Sequence, residues 1–132
     1  MGYRSQVGIA VISQEKITFE QVKQAFRQSQ FYKMNTGIAD ELLSLFQERQ
    51  KGADHLIIIY EVYIKWYEDI DQAWKTFSEI CNRFNLRWCF IRIGEEYHDV
   101  EEENNYYQFN DHDNCLWPYD IFGFFRDIHC FV

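Results

Sequence analysis

Six carboxylates fall within nine residues of this chain, at Glu95, Glu96, Asp99, Glu101, Glu102 and Glu103, directly after the strand-like run Trp88-Cys89-Phe90-Ile91-Arg92-Ile93. Launched from the end of a core strand, such a cluster is held in place and presents a shaped negative field. That field would draw in a basic groove and raise the rate of association with it. The same charges could equally form a solvated loop that blocks edge pairing. In an extended chain Asp99, Glu101 and Glu103 share one face, which would suit a hard cation. The stretch has neither calcium-loop spacing nor a helical carboxylate pair, so no metal is expected.

A second group of residues offers the opposite charge. Arg4 and Ser5 precede the first strand-like run, and Lys65 and Arg92 lie on central strands, so the four could converge on a small anionic, nucleotide-like ligand. The competing reading pairs Lys65 and Arg92 with nearby acids such as Glu61. Of the histidines 55, 98, 112 and 129, only the sequence Asp111-His112-Asp113 sets one between carboxylates. An aspartate-rich turn produces that pattern by composition alone. His129 and Cys130 are neighbours on an expected strand and so point to opposite faces, which weakens the case for a thiol nucleophile. There is no glycine-rich phosphate loop and no serine elbow. We assign no catalytic residue and expect no cofactor; the chain reads as a binding protein more than an enzyme.

Composition narrows the partner. The chain has 132 residues, a formal charge of -8, 47% hydrophobic and 19% aromatic residues and one proline, which describes a single globular domain, 1–132. Without a basic footprint, direct contact with nucleic acid is not expected. An acidic surface can instead compete for a basic protein that handles nucleic acid, or simply keep the chain soluble. The longest apolar run falls well short of the about 18 residues that a membrane span needs, and no secretory signal is expected. Gln6 stands where a myristoylation signal wants Ser or Thr. Cys81, Cys89, Cys115 and Cys130 are scattered through apolar stretches and read as reduced thiols of a cytoplasmic protein.

These groups must be positioned by a small set of elements. The pattern predicts a first strand over 6–13, and then a helix capped by Thr18 with Gln21 completing a capping box. Asn35-Thr36-Gly37 breaks it, and a second helix runs from near Ile38 to a charged end at Arg49-Gln50-Lys51-Gly52. Alternation over 56–67 predicts one long strand with Ile58, Tyr60, Val62, Ile64 and Trp66 on one face, or else a hairpin. Asp69 or Asp71 caps a third helix carrying Ile70, Ala73, Trp74, Phe77, Cys81 and Phe84, which Asn85-Leu86 ends. A strand over 87–93 follows, apolar on both faces at its centre. Tyr106-Tyr107-Gln108-Phe109 is expected as a short strand, Asn110 to Asn114 as a turn, and Tyr119 to Val132 as a final strand. The fold class is therefore α+β: a two-layer sandwich of a mostly antiparallel sheet with about three helices on one face. The aromatic run Tyr119 to Phe131, if it is an edge strand, favours burial against a second copy in a homodimer; the alternative packs its rings under the chain's own helices.

Three blocks of residues carry a resemblance. Tyr3-Arg4-Ser5-Gln6-Val7, then Lys65-Trp66-Tyr67 followed by Asp69-Ile70-Asp71, then Phe90-Ile91-Arg92-Ile93-Gly94-Glu95 followed by Asp99-Val100-Glu101-Glu102, resemble the marks of a family of small proteins encoded by bacteriophages and prophages. The blocks cover most of the first hundred residues, and the likeness ends near Asn104. It implies a phage setting, in the host cytoplasm, and no particular mechanism. The expected function is that of an acidic phage protein that binds and inhibits or modulates a host protein with a basic surface, in defence or nucleic-acid handling. The alternatives are a small enzyme or binding domain for an anionic nucleotide-like ligand, and a structural or accessory phage protein.

Overall fold

The computed structural model describes residues 4–13, 15–51, 54–96 and 98–105. Its elements follow in the order β1 (Ser5–Ser13), α1 (Lys16–Arg27), α2 (Gln30–Met34), α3 (Thr36–Leu45), β2 (Gln47–Lys51), β3 (Asp54–Ile64), α4 (Glu68–Arg83), β4 (Arg87–Gly94) and β5 (Val100–Asn104). The strands form one antiparallel sheet in the order β2-β3-β1-β4-β5. β3 and β4 thus run the same way with β1 between them, and β1 and β2 run the same way with β3 between them. Strands that run the same way cannot be joined by a tight hairpin, so α1 to α3 make one crossover and α4 the other. Two interlocked split βαβ units result, the β-α-β-β-α-β plan, with β5 added outside β4.

The alternation of the strands and the helical period of the helices meet on one side of the sheet. Val7, Ile9 and Val11 of β1, Ile57 and Ile59 of β3, and Trp88 and Phe90 of β4 pack against Phe19, Val22 and Phe26 of α1, Ala39 and Leu42 of α3, and a stripe along α4. That stripe is Ile70, Ala73, Trp74, Phe77 and Ile80, which fall on one face of the helix. Trp74 sits at its centre, edge-on to Trp88 at 5.4 Å and stacked on Phe90 at 6.2 Å. α4 stops at Arg83, and two residues on Asn85 has a left-handed φ of 57°, while Leu86 N–H donates back to Cys81 O at 3.0 Å. This is a Schellman stop, and an asparagine is the residue other than glycine that tolerates it best.

Several boundaries differ from the sequence pattern, each for a local reason. α1 begins at Lys16, so Thr18 lies inside it; Ser13 Oγ accepts from Glu15 N at 3.0 Å and turns the chain before Thr18 can act as the cap. The first break falls at Gln28 and Ser29, not at Asn35-Thr36-Gly37. There Ser29 Oγ accepts from Tyr32 N at 3.1 Å and starts α2, and Asn35 then separates α2 from α3. Phe31 and Tyr32 pack on the core, which fixes this extra helix. The second long helix stops at Leu45, and Gln47–Lys51 is the edge strand β2. A polar edge strand carries no alternation to read, and its pairing with β3 decides its state. β3 ends at Ile64 rather than Tyr67, and its register against β1 shifts between Ser5 and Val7. Such an irregularity resets the alternation, so Ile57 and Ile59 before it and Ile64 and Trp66 after it all pack on the helix side, where Ile58 was expected to share one face with Ile64 and Trp66. Neither Asp69 nor Asp71 caps α4: Tyr67 holds that position, and Asp71 instead accepts from Trp66 Nε1 at 3.0 Å and pairs with Lys75 at 3.0 Å. The expected strands at Tyr106 to Phe109 and Tyr119 to Val132, the turn between them, and the homodimer contact through Tyr119 to Phe131 lie outside the described residues, as do Cys115, Cys130, His112 and His129.

Candidate functional site

The acidic stretch is a hairpin. β4 runs out to Gly94, residues 95–99 turn the chain, and β5 returns with Glu101 opposite Arg92, Glu102 opposite Ile91 and Glu103 opposite Phe90. Backbone bonds close the turn, from Gly94 N to Asp99 O at 2.7 Å and from Asp99 N to Glu96 O at 3.0 Å. Pairing places Glu101 and Glu103 on the helix side of the sheet with Arg92 and Phe90, and Glu102 on the other.

Arg92 ties this hairpin to the core. It is 9% exposed, and each of its five N–H groups has an acceptor. Nε and Nη2 donate to Glu101 Oε1 at 3.0 and 2.6 Å, Nη1 and Nη2 donate to the two oxygens of Asp99, and Nη1 also donates to Ser5 Oγ at 3.1 Å. The Asp99 hydrogen bonds, and after them those of Glu101, hold the guanidinium above its ordinary pKa against the burial that opposes them. Bidentate charge-assisted bonds of this kind fix geometry as well as charge. A further clasp joins the hairpin to the chain start, where Arg4 N donates to Glu95 Oε1 at 2.7 Å.

The six carboxylates therefore divide by direction. Asp99 and Glu101 turn inward on Arg92, and Glu95 is engaged by the Arg4 backbone. Glu96, Glu102 and Glu103 are exposed along the turn and the outer strand. Lys75 of α4 feels this edge: its ammonium is held above the ordinary lysine range chiefly by the hydrogen bond it donates to Asp71, with Glu103 and Glu101 adding attraction.

The four residues of the expected anion group are only partly brought together. Ser5 and Arg92 touch, Arg4 meets the hairpin through its backbone, and Lys65 is exposed just past the end of β3. With every N–H of Arg92 engaged by Asp99, Glu101 or Ser5, none is left over to grip an anion there. Arg92 pairs across the hairpin rather than with Glu61. Among the described residues, no group of three or more His, Cys, Asp or Glu is arranged to hold a metal ion. Cys81 and Cys89 are both buried, and burial pushes the Cys81 thiol far up, away from thiolate chemistry. A cleft of about 300 Å³ beside the β2–β3 hairpin is lined by Phe19, Glu48, Arg49, Gln50, His55 and Leu56, and brings no nucleophile to its histidine.

One residue that holds the site was not visible in the sequence. Asn105, 1% exposed, ends β5 by accepting from Trp88 N at 2.8 Å and donating to Leu86 O at 2.7 Å and Asn82 Oδ1 at 2.8 Å. Beside a run of glutamates an asparagine reads as loop, and only its burial reveals the clip. No helix among the described residues is long and apolar enough to cross a membrane. Compared with known proteins, the chain matches no family model, no curated protein and no solved structure.

Proposed function

We propose that this chain is a phage-encoded acidic binding protein that sets the exposed carboxylates of its β4–β5 hairpin edge against a basic surface of a host protein, and so inhibits or modulates that protein. The observation that carries the reading is the division of the carboxylates. Asp99 and Glu101 are committed to Arg92, which makes the hairpin a rigid extension of the core, while Glu96, Glu102 and Glu103 face solvent on that fixed frame. Charges preorganised in this way attract a basic surface without paying to order a loop. A host protein that handles nucleic acid fits, because its phosphate-binding groove already displays Lys and Arg.

The division also sharpens the test. The full chain, immobilised, is exposed to lysate of the bacterial host, and retained proteins are identified at low and high salt. Replacing Glu96→Gln, Glu102→Gln and Glu103→Gln together leaves the Arg92 anchor intact and is expected to abolish salt-sensitive capture of a basic protein. Should those charges serve only to keep the exposed β5 edge from pairing, the variant would capture the same proteins as the parent, which would overturn the proposal.

A further inference from the structure

Among the described residues, β5 is held to the sheet by polar contacts. Its five residues, Val100–Asn104, have no place in the hydrophobic cluster, and Val100, their one apolar member, is 43% exposed. At about 25 cal/mol per Å² of apolar surface buried, little hydrophobic stabilisation is lost when this strand leaves. Its neighbour β4 is the opposite case. Trp88 and Phe90 belong to the core, and the run Trp88-Cys89-Phe90-Ile91 is apolar throughout. The backbone edge of such a strand pairs readily with other chains unless something covers it.

What holds β5 is its backbone ladder with β4 and the set of bonds on Arg92. That set is unevenly buried: Arg92 is 9% exposed, whereas the side chains of Asp99 and Glu101 are 31% and 50% exposed. Water and ions therefore reach the carboxylate side and screen it. Water that follows a departing strand also hydrates both members of each pair, so no charge is stranded in the core. The base of the strand is fixed separately, through the side-chain bonds of Asn105 to Trp88 N, Leu86 O and Asn82.

We propose that β5 is a polar strap over the edge of β4, latched by Arg92, that detaches as a unit while the core stays folded. It remains tethered at Asn105 and at the turn 95–99. In the closed state, which dominates, the carboxylates keep the positions described above; in the open state the edge of β4 is free to pair. The strap is independent of whether a host protein docks on the hairpin.

Amide hydrogen exchange of the full chain, followed residue by residue by NMR, tests it. The amides of β5 that bond β4, and Gly94 N–H, which donates to Asp99 O, should exchange at least about tenfold faster than those of the central strand β1. Low concentrations of urea should speed exchange in β1 and leave β5 almost unchanged, because the local opening exposes little surface. Arg92→Lys should speed exchange of β5 by a further factor of about ten or more, since lysine cannot make the fork. Protection of β5 equal to that of β1 with the same dependence on urea, or β5 exchange that Arg92→Lys leaves unchanged, would overturn the proposal.

Discussion

Arg92 turns a run of charges into a fixed feature, and the cost of losing it can be stated. Its partners are unevenly buried, Asp99 at 31% and Glu101 at 50% side-chain exposure. Breaking the set should therefore cost less than a fully buried pair, about 2 kcal/mol. Lysine cannot reproduce the two-sided fork, so Arg92→Lys is expected to lower the free energy of urea unfolding by nearly that amount, whereas a surface pair would lose almost nothing. Tyr67 gives a second residue-scale expectation. Its hydroxyl donates to Glu41 Oε2 at 2.8 Å, and that bond, more than partial burial, pushes its pKa from 10.0 up to about 12. The folded chain then keeps a proton that the unfolded chain loses, so this contribution is intact below pH 10 and falls away as pH rises toward 12. Urea midpoints measured across that window should decline, and Tyr67→Phe should remove part of the slope. The sequence placed Arg92 on an apolar strand just before its eventual partners, yet pointed to Glu61, because no Gly or Asn pair marked the turn that brings Asp99 and Glu101 back.

Elements with strong periodicity were the readable ones. The stripe of α4 and the two-sided apolarity of β4 follow directly from spacing, and Asn85 marks the helix end as expected. That stop makes its own prediction: Asn85→Val would force a β-branched residue into the left-handed region and cost about 1–2 kcal/mol, while Asn85→Gly would not destabilise the fold. Thermal unfolding of the two variants side by side checks it. What escaped the sequence were elements defined by contacts at long range. β2 is polar and becomes a strand only by pairing with β3, α2 exists because Phe31 and Tyr32 reach the core, and the alternation of β3 changes hands at the register shift opposite Ser5.

At the scale of the whole molecule, a split βαβ core carries an extra acidic strand on one edge, and the net charge of -8 surrounds it. The acidic run was legible as a candidate from the outset, but its division into anchoring and outward carboxylates was not, since that depends on which of them the β4–β5 pairing sets against Arg92. The proposed function depends on that division. It is tested most directly by the association rate of the full chain with the captured host protein, measured at low and physiological salt for the parent and for the Glu96→Gln, Glu102→Gln, Glu103→Gln variant. Electrostatic steering predicts a parent rate that falls steeply with salt and a variant rate about tenfold lower at low salt, with dissociation little changed. Equal association rates for parent and variant at both salt concentrations would contradict the account.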